Sequence, residues 1–157
     1  TNDALGVIPR LIDMGIDPYL IPPTLILSVA QRLVRKLCPK SRQILTLSSK
    51  IGQVIDREMK DIDKKNRKAL EPVRHNKLYG PKSSKDCPRG TKGRIGVFEM
   101  FSMTPQLEKI ILKAPSETNI KEEAERQKML TMTQDGLLKS LRGDISFEEV
   151  VRVVEES

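Results

Sequence analysis

Tryptophan is absent from the sequence, and three Phe and two Tyr bring the aromatic share of its 157 residues to only 3%. A core without large rings has to be built from Ile, Leu, Val and Met. The same poverty argues against single-stranded nucleic acid as a ligand, because such strands are held on several stacked aromatic platforms. His75 is the only histidine. It has no His or Cys at ligand spacing and reads as a surface residue, and one histidine leaves no Ser/His/Asp constellation to speak of. Cys38 and Cys87 are the only cysteines, and with no cleavable leader in view they are expected to be thiols in a reducing compartment. The longest apolar stretch, residues 19–30, is interrupted by Pro22 and Pro23 and falls short of the ~20 residues needed to span a bilayer. A Gly-x-x-x-x-Gly-Lys-Ser/Thr phosphate loop is also missing. Gly90-Thr91-Lys92-Gly93-Arg94 comes nearest and lacks both the spacing and the Lys-Ser/Thr end that cradle phosphates and hold Mg²⁺.

Present instead are charge and helical periodicity. Charged residues make up 31%, apolar residues 38%, and the formal net charge is +7. That balance suits nucleic acid, an acidic protein surface or anionic headgroups, and equally a solvated basic surface. Residues 2–14 open on the N-cap types Asn2 and Asp3 and carry Leu5, Ile8, Leu11 and Ile12 at helical spacing, with Gly15 placed as a C′ residue. Pro9 inside that pattern predicts a kink or two short pieces. Residues 24–37 fit two periods at once, and periodicity alone does not separate strand from helix there. Residues 43–70 read as one long amphipathic helix through Ile44, Leu47, Ile51, Val54, Ile55, Met59 and Ile62, stopped by Pro72. Its mixed-sign opposite face reads as solvated, with a partner-docking helix as the other reading.

Residues 74–93 form a basic loop with Arg74, Lys77, Lys82, Lys85, Arg89, Lys92 and a single aromatic, Tyr79. Residues 94–101 read as a strand. Thr104-Pro105 is an N-cap followed by Pro at the first helical position, with Leu107, Ile110 and Ile111 as its buried stripe. Asn119 is taken as the start of a helix through Gln127, a third helix containing Gly136 ends near Gly143, and Ser146-Phe147-Glu148-Glu149 is a capping box. Its helix has Phe147, Val150, Val151 and Val154 as the apolar side. The acidic pairs Glu122-Glu123 and Glu148-Glu149 are read as first-turn partners of helix dipoles.

The cysteines sit in two incomplete pairs, Cys38-Pro39-Lys40-Ser41 and Ser84-Lys85-Asp86-Cys87. A zinc ribbon needs four soft ligands. With Ser41 and Ser84 in place of two of them, zinc is not expected.

Several segments resemble, in order, the secretion and pilus-assembly ATPase family of type II secretion and type IV pilus systems. Thr1-Asn2-Asp3-Ala4 with Pro9-Arg10-Leu11-Ile12-Asp13-Met14-Gly15 looks like the stretch after the family's histidine box. Residues 30–38, Ala-Gln-Arg-Leu-Val-Arg-Lys-Leu-Cys, look like its next signature. Residues 92–99, Lys-Gly-Arg-Ile-Gly-Val-Phe-Glu, look like the segment after its second cysteine pair. Residues 135–139 and 148–153 resemble its C-terminal end. The middle, 42–83, matches only in kind, and the loop around 88–93 is about one residue short of the family's Gly-Tyr turn.

The resemblance implies an α/β fold: the C-terminal portion of a RecA-like P-loop ATPase core plus a small, mostly helical C-terminal subdomain. Residues 1–37 with strand 94–101 would end the core, 38–93 would be a degenerate cysteine-motif subdomain, and 102–157 the helical one. It further implies a homohexamer at the cytoplasmic side of the inner membrane, acting on a platform protein there, with ATP and Mg²⁺ held in the complete protein. The catalytic histidine would immediately precede Thr1, so this chain is expected to be a piece of a longer one that does not hydrolyse ATP alone. Family zinc chemistry would fall on Cys38, Ser41, Ser84 and Cys87. Arg32, Arg35 and Arg94 are the candidates for contact with nucleotide phosphate or a neighbouring subunit, since guanidinium pairs bidentately with phosphate and carboxylate; each could equally form a surface salt bridge. The rival class is a small basic nucleic-acid-binding module built on residues 74–94, or a free-standing protein-interaction domain.

Overall fold

A computed structural model describes residues 2–62 and 77–155. The extension of the long helix past Ile62, its stop at Pro72, and Arg74 and His75 fall outside the described residues. So does the side chain of Val154. Along the chain run α1 (Val7–Asp13), a 3₁₀ turn (Pro18–Leu20), α2 (Ile21–Thr24), β1 (Leu27–Leu37), β2 (Gln43–Leu45), α3 (Ser49–Asp61), β3 (Leu78–Gly80) and β4 (Thr91–Ser102). Then come α4 (Pro105–Lys113), α5 (Glu117–Arg126), α6 (Met132–Arg142) and α7 (Phe147–Glu155). The mixture of helix and strand is an α/β chain, in which β1 pairs with β4 and β2 with β3. It divides into two compact units, Thr1–Gln31 with Phe98–Thr131, and Arg32–Val97 with Met132–Ser157.

The first unit packs Ala4, Ile8, Ile21, Phe101, Leu107, Ile111, Ile120 and Ala124 into one core. Helix α1 starts later than Asn2–Asp3 predicts: Gly6 is its N-cap residue, and the Asp3 carboxylate accepts the Gly6 N–H at 2.6 Å. Pro9 therefore lies in the first turn, where its missing N–H had no partner to lose, and the predicted break is unnecessary. The end is as expected. Gly15 takes φ +85°, its N–H bonds Ile12 O and the Ile16 N–H bonds Leu11 O, the paired bonds of a Schellman motif.

Thr104 caps α4 as its position predicts, its hydroxyl accepting the Leu107 N–H at 3.1 Å. Helix α5 begins ahead of Asn119. Ser116 is its cap, accepting the Asn119 N–H at 3.2 Å, while the Asn119 amide donates to Ala114 O at 3.0 Å. The earlier start moves Glu122 and Glu123 out of the first turn, so the dipole reading of that pair is wrong. Glu123 is instead buried, and its carboxylate accepts from Arg126 Nε at 2.6 Å and Nη2 at 2.7 Å, from the Thr104 hydroxyl at 2.7 Å and from the Gln127 amide at 3.0 Å. Arg126 first, then Thr104 and Gln127, outweigh the opposing effect of burial and hold the carboxyl at about 2, down from 4.5.

In the second unit the predicted long helix is shorter. Residues 43–45 form β2, with Ile44 opposite Tyr79 of β3, and α3 starts behind Ser48, whose hydroxyl accepts the Ile51 N–H. Ile55, Met59 and Ile62 keep the predicted buried stripe, whereas Ile44 and Val54 are exposed. Short-range spacing cannot show a strand partner more than thirty residues away, and cross-strand packing overrides it. The predicted loop 74–93 likewise contains β3 and the start of β4.

Helix α6 buries Met132, Leu137, Leu138 and Leu141 and ends at Gly143, with φ +77°. Arg42 caps that end. One of its guanidinium nitrogens donates to Gly143 O at 2.5 Å and Arg142 O at 3.2 Å, and its guanidinium carbon lies 4.7 Å from the Tyr79 ring centre. A cation satisfying the last carbonyls also complements the helix dipole. Helix α7 starts at Phe147 as predicted and buries Val150 and Val153, while Val151 is exposed. The Glu149 carboxylate accepts the Arg35 N–H at 2.8 Å and an Arg152 nitrogen at 3.2 Å.

The Glu123 carboxyl lies below its unfolded value, so its stabilisation is complete above about 4.5 and is lost as pH falls towards about 2. A depression of that size is worth on the order of 2 kcal/mol after allowance for the half-exposed Arg126. Glu123→Gln is therefore expected to cost about that much in urea unfolding at pH 7, and the gap from the parent should close between pH 4.5 and 2. Two glycines should respond oppositely to Ala. A methyl group at Gly136 would meet Val97 and Val150 at 3.7 Å, an ordinary contact, so Gly136→Ala should gain roughly 0.5–1 kcal/mol of helix propensity. At Gly143 it would fall 2.6 Å from Arg42 and 2.7 Å from the Tyr79 ring at positive φ. Gly143→Ala is expected to lose at least about 1 kcal/mol in the same measurement.

Candidate functional site

The four degenerate cysteine-motif positions come together in the second unit. The Sγ atoms of Cys38 and Cys87 are 2.14 Å apart in a disulfide that joins residues 49 apart in sequence. This corrects the expectation of two free thiols. Spacing alone gave no reason to pair them, because 49 residues of chain separate them and only the pairing of β1 with β4 and β2 with β3 folds that chain back. Closing a loop of that length removes on the order of 4 kcal/mol of entropy from the unfolded state. Both residues are buried, at 2% exposure.

Around the disulfide, the Ser41 and Arg42 N–H groups bond Cys38 O at 3.1 and 3.0 Å, and the Cys87 N–H bonds Ser84 O at 3.1 Å. The Cys38 N–H bonds Gly90 O and the Gly90 N–H bonds Cys87 O, both at 2.9 Å. Gly90 cannot carry a side chain here, since a Cβ would sit 2.6 Å from the Lys82 nitrogen. The Ser84 hydroxyl accepts the Cys87 N–H at 3.2 Å, while the Ser41 hydroxyl is buried with no hydrogen-bond partner.

Zinc does not fit this donor set. Two sulfurs bonded to each other offer no thiolate, and neutral hydroxyls are poor zinc ligands. Among the described residues, no group of three or more His, Cys, Asp or Glu side chains could hold a metal ion. Phosphate-loop residues that could hold ATP and Mg²⁺ are absent from the sequence.

The three candidate arginines lie on neighbouring strands. Arg32 shares a face of β1 with buried Val34, and Arg35 alternates to the side of exposed Leu33. Arg94 is exposed on β4. Strand alternation thus separates Arg32 from Arg35 rather than aiming both at one ligand. Tyr79, the only aromatic of the basic loop, has the Arg42 guanidinium over its ring.

Sequence reasoning missed a surface on the first unit. The Ser28 hydroxyl donates to Ala4 O at 2.8 Å, and the Glu99 carboxylate accepts the Ala4 N–H at 2.5 Å. Sharing one partner places Ser28 and Glu99 on the same face of the β1–β4 pair. Strand alternation then puts Leu27 and Val29 of β1 and Phe98 and Met100 of β4 on the other face. All four are exposed, Val29 at 48% and Met100 at 57%, and Ile26 before the strand is at 81%. The alternation of Leu27 and Val29 was visible in the sequence, but it could not show which face would be covered. A groove of about 450 Å³ between α4 and α5 includes Glu123 and Arg126 in its lining, and these two are already paired with each other. Among the described residues, no helix is long and apolar enough to cross a membrane.

The family model described as type II/IV secretion system protein matches residues 1–152. Type II secretion system protein E of Xanthomonas campestris pv. campestris is 34% identical over 157 residues, covering 100% of this chain and 26% of that protein. The type IV pilus assembly ATPase TfpB of Acinetobacter baylyi is 35% identical over 98% of this chain and 25% of its own length. The type IV pilus assembly ATPase PilB of Pseudomonas aeruginosa is 31% identical, over 99% and 26% respectively. The chain therefore spans about a quarter of the length of these relatives. With one family model running through both units and the relatives aligned from end to end of the chain, it belongs to the type II/IV secretion system protein family.

Proposed function

We propose that this chain is the C-terminal part of a motor ATPase that powers type IV pilus assembly or type II secretion. The observation that carries the reading is the family match over residues 1–152, together with relatives named as secretion protein E and pilus assembly ATPases. In this reading, ATP and Mg²⁺ are held by a phosphate loop outside these residues. The RecA-like core is completed by strands packed on Leu27, Val29, Phe98 and Met100. An apolar sheet face of this kind is stabilised by being covered. The assembly would be a homohexamer at the cytoplasmic surface of the inner membrane, working on a platform protein of the machine.

Arg35 and Arg94 are the exposed cations available to a nucleotide phosphate or a neighbouring subunit. Arg32, on the face of buried Val34, would act from the covered side. Residues 38–93 would serve as the cysteine-motif subdomain and residues 102–157 as the helical subdomain.

Replacing Arg32, Arg35 and Arg94 together by Ala in the complete protein is expected to lower ATP turnover at least about 10-fold, the range of lost charge-assisted contacts, while circular dichroism stays unchanged. Unchanged turnover and unchanged assembly would overturn the role given to these residues. Val29→Glu with Phe98→Glu should abolish turnover together with stable packing of the core, read by ATPase assay and size-exclusion chromatography.

A further inference from the structure

The two turns that carry Cys38 and Cys87 have the layout of a metal knuckle without the means to bind a metal. Each spans four residues and is closed by the same type of bond, Ser41 N–H to Cys38 O and Cys87 N–H to Ser84 O, both 3.1 Å. The turns are tied to one another through Gly90, which accepts from Cys38 and donates to Cys87. In a metal knuckle of this layout the two residues that end each turn would supply the four ligands, the corners of a tetrahedral site. Here two corners are sulfurs joined to each other, one is a hydroxyl engaged with the Cys87 N–H, and one is the Ser41 hydroxyl, buried without a hydrogen-bond partner. An orphaned buried hydroxyl costs stability. The outer rim adds only an exposed Lys40–Asp86 ion pair at 3.7 Å.

We propose that Cys38 and Cys87 form a reversible thiol–disulfide site, a covalent clasp that holds the paired turns together where a metal ion would otherwise do so. Opening takes two equivalents of a low-molecular-weight thiol of the glutathione class. The thiolate of the first attacks one protein Sγ, breaking the Sγ–Sγ bond and forming a mixed disulfide, and the second protein sulfur leaves as a thiolate and is protonated. The second small thiol attacks the small-molecule sulfur of that mixed disulfide, releasing the oxidised small disulfide and the second protein thiol. The protein gains two electrons and two protons, and the two small thiols lose them. Closing is the reverse, driven by the small disulfide. Because both cysteines are buried, exchange waits on local opening of the turns and is slow compared with an exposed disulfide. This inference does not depend on the motor reading.

The test uses the full-length protein, isolated without reductant and denatured in the presence of N-ethylmaleimide, so that buried free thiols would also be alkylated. The expected result is a single cross-linked species joining the Cys38 and Cys87 peptides, about 2 Da lighter than their sum because forming the bond removes two hydrogens. In glutathione buffers of graded ratio that species should disappear and return reversibly. Protease cleavage within 82–90 should quicken at least 10-fold on reduction and slow again on reoxidation. Cys38→Ser with Cys87→Ser should be cleaved at the reduced rate in every buffer. Alkylated thiols at both positions in the unreduced protein would overturn the proposal. So would one zinc per chain by elemental analysis, or cleavage that ignores the redox buffer. Ser41→Cys with Ser84→Cys, reduced and offered Zn²⁺ alone, should take up one equivalent, while the reduced parent takes up none. Uptake by the parent would show the site to be a metal site after all.

Discussion

Strands β1 and β4, eleven and twelve residues long, pair only with each other among the described residues, and much of the structure follows from how that ribbon is covered. A two-stranded ribbon is marginal in water by itself. In the first unit one face is secured through Ala4, whose N–H and carbonyl are both taken by side chains from the strands, Glu99 and Ser28. That arrangement satisfies two buried backbone groups at once. It also fixes which residues of the two strands face the core and which are left outside. The outer set, Leu27, Val29, Phe98 and Met100, is as apolar as a buried face, and the proposed fit to a larger ATPase core rests on it.

The polar interior follows the rule that buried charges and helix ends need partners. Glu123 would oppose its own burial but for Arg126, Thr104 and Gln127, and together they tie α4 to α5. Arg42 does the equivalent work in the second unit, joining β2's approach, Tyr79 and the end of α6 through one guanidinium. Both residues are charged groups used structurally. Arg42 did not stand out in the sequence and Glu123 did so only as a helix-dipole partner, because charge by itself does not distinguish a solvated residue from one that closes a helix. The disulfide adds a third kind of tie, acting on the unfolded chain rather than through contacts.

Legibility varied with the range of the interaction that decides each feature. Caps and stops are local, so Thr104-Pro105, Gly15, Gly143 and the start of α7 at Phe147 could be read correctly from neighbouring residues. Asn119 misled because Ser116, three residues earlier, is an equally good cap and wins by accepting the Asn119 N–H itself. Residues 24–37 were ambiguous by period, and 27–37 of them became a strand because β4 was there to pair with. The candidate arginines were visible as residue types, but their division between two faces of β1 appeared only once the strand existed.

The sequence by itself determined the absence of a phosphate loop, the family signatures in their order, the helix-forming stripes and the replacement of two cysteine-motif positions by Ser41 and Ser84. These are properties of residue identity and short spacing, which the chain carries in any conformation. Only the tertiary structure decided that Cys38 meets Cys87, that residues 43–45 leave the predicted helix to pair with β3, and that Leu27, Val29, Phe98 and Met100 share an exposed outer face. Each depends on contacts between residues tens of positions apart, where the cost of closing the loop is met by pairing and burial that no local pattern records.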